Sequence, residues 1–187
     1  MNKLSTLDVN TNKKIIIFSG KQFSGKDTVA KIVLEQFKSF KRIGIGDAIK
    51  MLYSKKTGLP LEEIEKNKST YRQDLIDLGD WGRAQDADYW LKSIVAYEGN
   101  TVVTDIRVKH ELELFKSYGA FAVRVEASEE ARSRRGTLSS QNDVTETQLD
   151  NITDWDFVIQ NEGSYEELLE NTKALMTSIK EKFGEDL

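Results

Sequence analysis

The sequence predicts an α/β fold of three layers: a five-stranded, mainly parallel sheet with helices on both faces. Three observations predict it. Five short apolar runs alternate with segments of helical periodicity. The first run, Ile15-Ile16-Ile17-Phe18, is apolar without a break, as expected of a strand buried on both faces. That run stops at Ser19-Gly20, and a glycine-bearing turn then leads directly into an amphipathic pattern.

In chain order, Met1 to Asn12 read as a polar tail, and 13–18 as the first strand. Val29, Ile32, Val33, Phe37 and Phe40 share one face of the first helix. Arg42 to Ile45 is the second strand, ended by Gly46, and Asp47 caps a helix through Ile49, Leu52 and Tyr53. Pro60, the one proline, opens a short helix over Leu61 to Glu65. Ser69 to Ala96 reads as mostly helical, with interruptions at Gly79 and Gly82. Thr101 to Thr104 is the third strand and runs into Asp105. A helix marked by Leu112, Phe115 and Tyr118 closes at Gly119. Ala120 to Val125 is the fourth strand, and Ser128 opens a helix carrying Arg132, Arg134 and Arg135. Thr137 to Asp154 is polar and weakly periodic, the pattern of a flap. Asp156 to Ile159 is the fifth strand, and Ser164 with Glu167 forms a capping box for the last helix. The predicted face of that helix is Tyr165, Leu168, Leu169, Thr172, Leu175, Met176, Ile179 and Phe183. Trp81, Trp90 and Trp155 are expected in the core or a pocket wall, and His110 in a supporting role. One domain over 1–187 is expected, with a tail at 1–12 and a lid over about 132–154.

Composition excludes several functions. Lys and Arg number 27 against 31 Asp and Glu, a net charge of −4, which argues against binding a nucleic acid polymer. The absence of cysteine removes disulfides, thiolate metal sites and thiol nucleophiles, and one histidine rules out a His-based metal cluster. The longest aliphatic run is too short to span a bilayer, so no membrane association and a cytoplasmic location are expected.

The segment between the first strand and its helix reads Gly20-Lys21-Gln22-Phe23-Ser24-Gly25-Lys26-Asp27-Thr28, which is G-x-x-x-x-G-K. Its glycines let backbone N–H groups turn towards phosphate oxygens, the helix N-terminus adds a positive dipole, and Lys26 reaches the β/γ-phosphates. Asp27 stands where a hydroxyl would ligate Mg²⁺. Either the metal binds at Asp27, or Thr28 supplies a hydroxyl nearby.

Ligands of open α/β sheets bind at the carboxyl ends of the strands, which brings Asp105 and Arg107 to the crevice. Asp105 would hold the metal or orient an acceptor oxygen, and Arg107 would clamp a phosphate, unless the two form a surface ion pair. Arg72, Arg83 and Lys50 lie between the second and third strands, where an acceptor phosphate would be gripped. Arg132 and Arg135 precede the polar flap and would neutralise a transferring phosphoryl group as a lid closes, the alternative being a solvated charged face.

With these residues placed, the chain resembles the P-loop nucleoside monophosphate kinases and their adenylate-kinase-like fold. It is similar to the phage-type deoxynucleoside monophosphate kinases through Ser24-Gly25-Lys26-Asp27-Thr28, Tyr89-Trp90-Leu91-Lys92, Asp105-x-Arg107-x-x-His110-Glu111 and Asn161-x-Gly163-Ser164. It is similar to the animal-type phosphomevalonate kinases through Phe18-Ser19-Gly20-Lys21, Tyr71-Arg72-x-Asp74, Arg83-x-x-Asp86, Arg132-x-x-Arg135-Gly136 and Asp154-Trp155-Asp156. The resemblance implies ATP and Mg²⁺ as cofactors, with Gly20, Lys21, Ser24, Gly25, Lys26, Asp27, Thr28, Arg132, Arg135 and Asn161 at ATP. Lys26, Asp105, Arg107 and Arg135 would be catalytic, Asp27 and Asp105 would hold the metal, and Lys50, Arg72, Arg83 and Arg107 would bind a small-molecule phosphate acceptor. Monomer and homodimer are both compatible. Gln22 and Phe23 replace the more basic loop of phosphomevalonate kinases, so a deoxynucleoside monophosphate is favoured as acceptor over phosphomevalonate. A third reading is a nucleotide-binding protein without catalysis. A GTPase-type switch would need D-x-x-G and N-K-x-D motifs, and neither occurs.

Overall fold

The first apolar run forms the middle of a sheet. In chain order the elements are β1 (Ile15–Ser19), α1 (Lys26–Gln36), β2 (Phe40–Arg42), α2 (Ile45–Thr57), α3 (Leu61–Lys66), α4 (Arg72–Gln85), α5 (Tyr89–Val95), β3 (Asn100–Val103), α6 (Lys109–Ser117), β4 (Phe121–Glu126), α7 (Glu129–Arg135), β5 (Phe157–Gln160) and α8 (Tyr165–Phe183). This is a computed structural model, and it describes residues 13–67, 70–138 and 147–187. They form two compact units: a sheet unit of residues 13–42 and 98–187, and a helical unit, Ile43–Tyr97.

In the sheet unit the strand order is β2-β3-β1-β4-β5, and all four pairings are parallel. Every residue of β1 is buried, as the unbroken apolar run requires. Alternate strand residues Ile16, Phe18, Val102, Phe121, Val123 and Val125 join Val29 and Val33 of α1 and Leu168, Leu175 and Ile179 of α8 in one core. The opposite set, Ile15, Ile17, Val103 and Ala122, is equally buried, and α6 packs against β4. The parallel α/β architecture expected from the sequence is therefore present. At roughly 1.5–3 kcal/mol per fully buried Ile, Val or Phe, this core supplies the main stabilisation of the unit.

Two helix starts follow the sequence closely. Ser128 caps α7 by accepting from the Ala131 N–H at 3.2 Å, and Ser164 caps α8 through the Glu167 N–H at 3.3 Å. Strand edges differ. Phe40 begins β2 rather than continuing α1, because α1 ends at Gln36 with Phe37 as its C-cap. Asp47 is not the N-cap of α2 but its third residue, where its carboxylate accepts from the Gly44 N–H at 2.9 Å.

The helical unit contains α2 to α5. Gly79 and Gly82 do not interrupt α4, which runs through both. A Gly in a helix costs only about 1 kcal/mol, and here each has a packing reason. The Trp90 indole occupies the place of a side chain at Gly82, with ring atoms 2.6 Å from where a Cβ would sit, and its N–H donates to the Gly79 carbonyl at 3.0 Å. Trp90 is buried as expected, whereas Trp81 is not a core residue: it is 41% exposed and lies under the Lys56 ammonium. The predicted apolar face of α8 is also narrower than expected, with Tyr165 and Leu169 exposed. Among the described residues no helix is long and apolar enough to cross a membrane.

Candidate active site

The turn after β1 forms the centre of the site. Gly25 is the N-cap of α1 and adopts φ 97°, a left-handed conformation that strains any residue with a Cβ. It has no side-chain cap, so the first N–H groups of α1 remain available to an anion. Phe23 also has positive φ, at 59°, so the loop bends sharply twice in three residues.

Residues Gly20 to Thr28 line a cavity of about 490 Å³ together with Arg107, Arg135 and Thr137. The expected phosphate-loop residues are thus brought together with one arginine from the β3–α6 connection and one from α7. Lys26 Nζ is 3.0 Å from Asp27 Oδ2, with Lys26 largely buried and Asp27 73% exposed. The Asp27 carboxylate and Thr28 hydroxyl are hard oxygen donors at the cavity wall, the donor type that suits Mg²⁺. Among the described residues no group of three or more His, Cys, Asp or Glu assembles.

Two arginines hold backbone carbonyls of the loop. Arg135 donates to the Asn161 carbonyl at 2.7 Å, to Asn161 Oδ1 at 3.3 Å and to the Phe23 carbonyl at 3.3 Å. Asn161 in turn donates to the Ser24 carbonyl at 2.7 Å, inside the protein. Arg132 is buried and donates to the Gln22 carbonyl at 3.4 Å, and it lines a second cavity rather than that of the loop. Arg132 is thus not a solvated surface charge, while Arg135 is exposed yet tied to the loop through Asn161 and Phe23. Arg134 is also exposed and pairs with Glu130.

Asp105 and Arg107 follow β3, which ends at Val103. Their turn is fixed by Glu111, whose carboxylate accepts from the backbone N–H of Arg107 at 2.8 Å and of Val108 at 3.2 Å. Burial pushes the Glu111 carboxyl above its ordinary range, and the nearby Asp105 charge adds to this, against those two hydrogen bonds. His110 is exposed.

Lys50, Arg72 and Arg83 belong to the helical unit. The Lys50 ammonium contacts Glu65 at 2.6 Å and Asp47 at 3.0 Å. Burial opposes its charge, but those two carboxylates outweigh the penalty and raise its pKa. Arg83 pairs with Asp80 at 2.6 Å, and Arg72 is exposed. The same unit holds a cavity of about 270 Å³ walled by Met51, Leu52, Tyr89, Trp90 and Tyr97, with Lys55 at its edge. The centre of the expected lid, residues 139–146, lies outside the described residues. The end of that stretch is anchored: Leu149 is buried, and Asp150 pairs with Lys21 at 2.6 Å and with Arg124 at 3.4 Å.

Sequence reasoning gave no role to Glu111 and Asp150, which it met only within stretches resembling known families, and it passed over Arg124. Glu111 caps α6 opposite Val108, so the hydroxyl that marks a capping box is missing. Arg124 is a lone charge within the apolar fourth strand and is only 6% exposed.

A sequence model described as phosphomevalonate kinase matches residues 18–121, and one described as deoxynucleotide monophosphate kinase matches 74–172. A phosphomevalonate kinase from Drosophila melanogaster is 30% identical over 169 residues, covering 80% of this chain and 88% of that protein. The chain belongs to the group of P-loop kinases that includes phosphomevalonate kinase and deoxynucleotide monophosphate kinase. This kinase is also 34% identical over 99 residues to a deoxynucleotide monophosphate kinase from Escherichia phage RB69, over 49% of the kinase and 37% of the phage protein. Its fold is shared by a shikimate kinase from Aquifex aeolicus vf5, with a TM-score of 0.50 at 18% identity over 89% of this chain and 96% of that one.

Proposed function

We propose that the kinase transfers the γ-phosphoryl group of ATP to the phosphate of a deoxynucleoside monophosphate, giving ADP and a deoxynucleoside diphosphate. The observation that carries the choice of acceptor is the cavity of the helical unit. Its walls are aromatic and aliphatic, which suits a flat, uncharged base. Phosphomevalonate is anionic at both ends and calls for cations, and Lys55 is the one cationic residue among the described lining.

In this reading an acceptor phosphate oxygen attacks the γ-phosphorus as the bond to the ADP oxygen breaks, so no general base or covalent intermediate is needed. The loop N–H groups and Lys26 hold the β/γ-phosphates, and Arg107 and Arg135 neutralise charge on the transferring group. Asn161 and Arg132 keep the loop in shape, while Lys50, Arg72 and Arg83 are assigned to the acceptor. Asp27 and Asp105 would hold Mg²⁺, with Thr28 the alternative; when bound, the ion neutralises phosphate charge. We propose further that the two units work as one kinase domain acting in the cytoplasm on small molecules.

One observation favours phosphomevalonate instead: the match to the Drosophila protein extends over 88% of its length, and the phosphomevalonate kinase model takes in all of Ile43–Tyr97. A coupled assay with ATP, the deoxynucleoside monophosphates and phosphomevalonate separates the readings. Turnover with at least one deoxynucleotide and none with phosphomevalonate is expected. The reverse pattern establishes the second reading, and no turnover with any of them overturns both.

A further inference from the structure

Lys21 occupies an unusual place in the loop. It lines the cavity formed by Gly20 to Thr28 and also a second cavity of about 410 Å³, whose walls include Arg124, Arg132 and Asp150. Its ammonium is committed to the second side, where Nζ lies 2.6 Å from Asp150 Oδ2. The Asp150 carboxylate is itself held. Its other oxygen meets Arg124 at 3.4 Å, and Arg124 is buried, donates to Ser19 Oγ at 3.0 Å and has its guanidinium 5.7 Å from the centre of the Trp155 ring. Next to it, Leu149 is buried and fixes the backbone of the turn.

A carboxylate oxygen at 2.6 Å from an ammonium makes the contact that a phosphate oxygen would make. One Lys Nζ cannot serve both at full strength, and the flexible four-carbon stem lets it swing between them. We infer that Asp150, positioned by Arg124, competes with the phosphates of the donor nucleotide for Lys21, so that Asp150 sets donor affinity without touching the donor. The inference rests on the proposed entry of ATP phosphates into the loop cavity. Binding then exchanges one Lys21 ion pair for another. The cost of breaking the Asp150 pair lowers affinity for ground and transition states alike, which places its effect in KM for ATP and not in kcat.

The test is calorimetric and kinetic, on the full chain. Asp150→Asn keeps the size of the side chain and removes its charge, and Asp150→Ser removes charge and reach together. Both should tighten binding of Mg·ATP and of inorganic tripolyphosphate by about two- to fivefold, the range expected for a half-exposed pair. KM for ATP should fall by the same factor with kcat unchanged. In a Lys21→Ala background the Asp150 substitutions should have no effect on affinity. Tripolyphosphate isolates the phosphate contribution from any contact with base or sugar. Unchanged or weaker ATP binding in Asp150→Asn overturns the inference while leaving the kinase reading intact. A wild-type protein that binds neither probe removes both.

Discussion

Gly25 and Gly119 make a matched pair of substitutions. Both have positive φ, 97° and 77°, so an alanine at either carries the left-handed penalty of roughly 1–2 kcal/mol. A Cβ at Gly119 would meet nothing within 4 Å, so that penalty is the whole effect. A Cβ at Gly25 would collide with the Asn161 amide nitrogen, the group that donates to the Ser24 carbonyl at 2.7 Å inside the protein. Displacing it strands a buried carbonyl, which adds roughly 1–3 kcal/mol. Gly119→Ala should therefore lower Tm by a few degrees, at about 2–4 °C per kcal/mol for a chain of this size, and Gly25→Ala by about twice as much. The kinetic contrast should be larger. Asn161 also accepts from Arg135, so Gly25→Ala shifts the loop amides and that arginine together. A fall in kcat/KM of at least about tenfold is expected for Gly25→Ala, since loop amides act only when aimed, and none for Gly119→Ala. Thermal melts and the coupled assay measure both quantities. Equal Tm losses with intact turnover in both variants would refute the claim that Asn161 locks the loop.

Lys26→Ala should reduce kcat at least about a hundredfold with little change in Tm, because it removes a cation aimed at the phosphates and leaves the core untouched. Steady-state kinetics and a melt decide this, and near-normal turnover would move the donor site elsewhere. Arg135→Ala should lower kcat more than it raises KM for ATP, and Arg135→Lys should not restore it, since a point charge cannot bond both Asn161 and a phosphoryl group as the planar fork does. Lys13 gives a pH dependence. Burial pushes its ammonium down to about 8 from the ordinary 10.5. Between those values the unfolded chain holds the proton and the folded chain does not, so this group's contribution to stability should rise with pH across the window. Its penalty is fully present below about pH 8. Chemical denaturation of wild type and Lys13→Met at pH 8 and pH 10 should show a wild-type rise that the variant lacks.

Much of this was legible because the signals are local. A short unbroken apolar run rich in β-branched residues and stopped by Ser19-Gly20 fits a buried strand, and G-x-x-x-x-G-K between a strand and a helix has few uses other than holding phosphate. Ser128 and Ser164 announce helix starts because the cap is made by neighbours in sequence. The errors share the opposite property. Gly79 and Gly82 resemble breaks until Trp90, eight residues beyond Gly82, fills the space at Gly82 and donates to the Gly79 carbonyl. Arg124 carries no signal of its own within the fourth strand, and its place becomes clear only when Ser19, 105 residues away, and Asp150, 26 residues away, surround it. The Lys21–Asp150 pair spans 129 residues. Charges are tolerated inside when a partner is supplied from elsewhere in the fold, and no window of sequence contains both partners. The same reasoning explains the residue classes found at the site. The loop is contiguous and could be read directly, whereas Arg124 of β4, Arg135 of α7, Asp150 in a turn before β5 and Asn161 just after β5 become a group only when the chain folds them onto it.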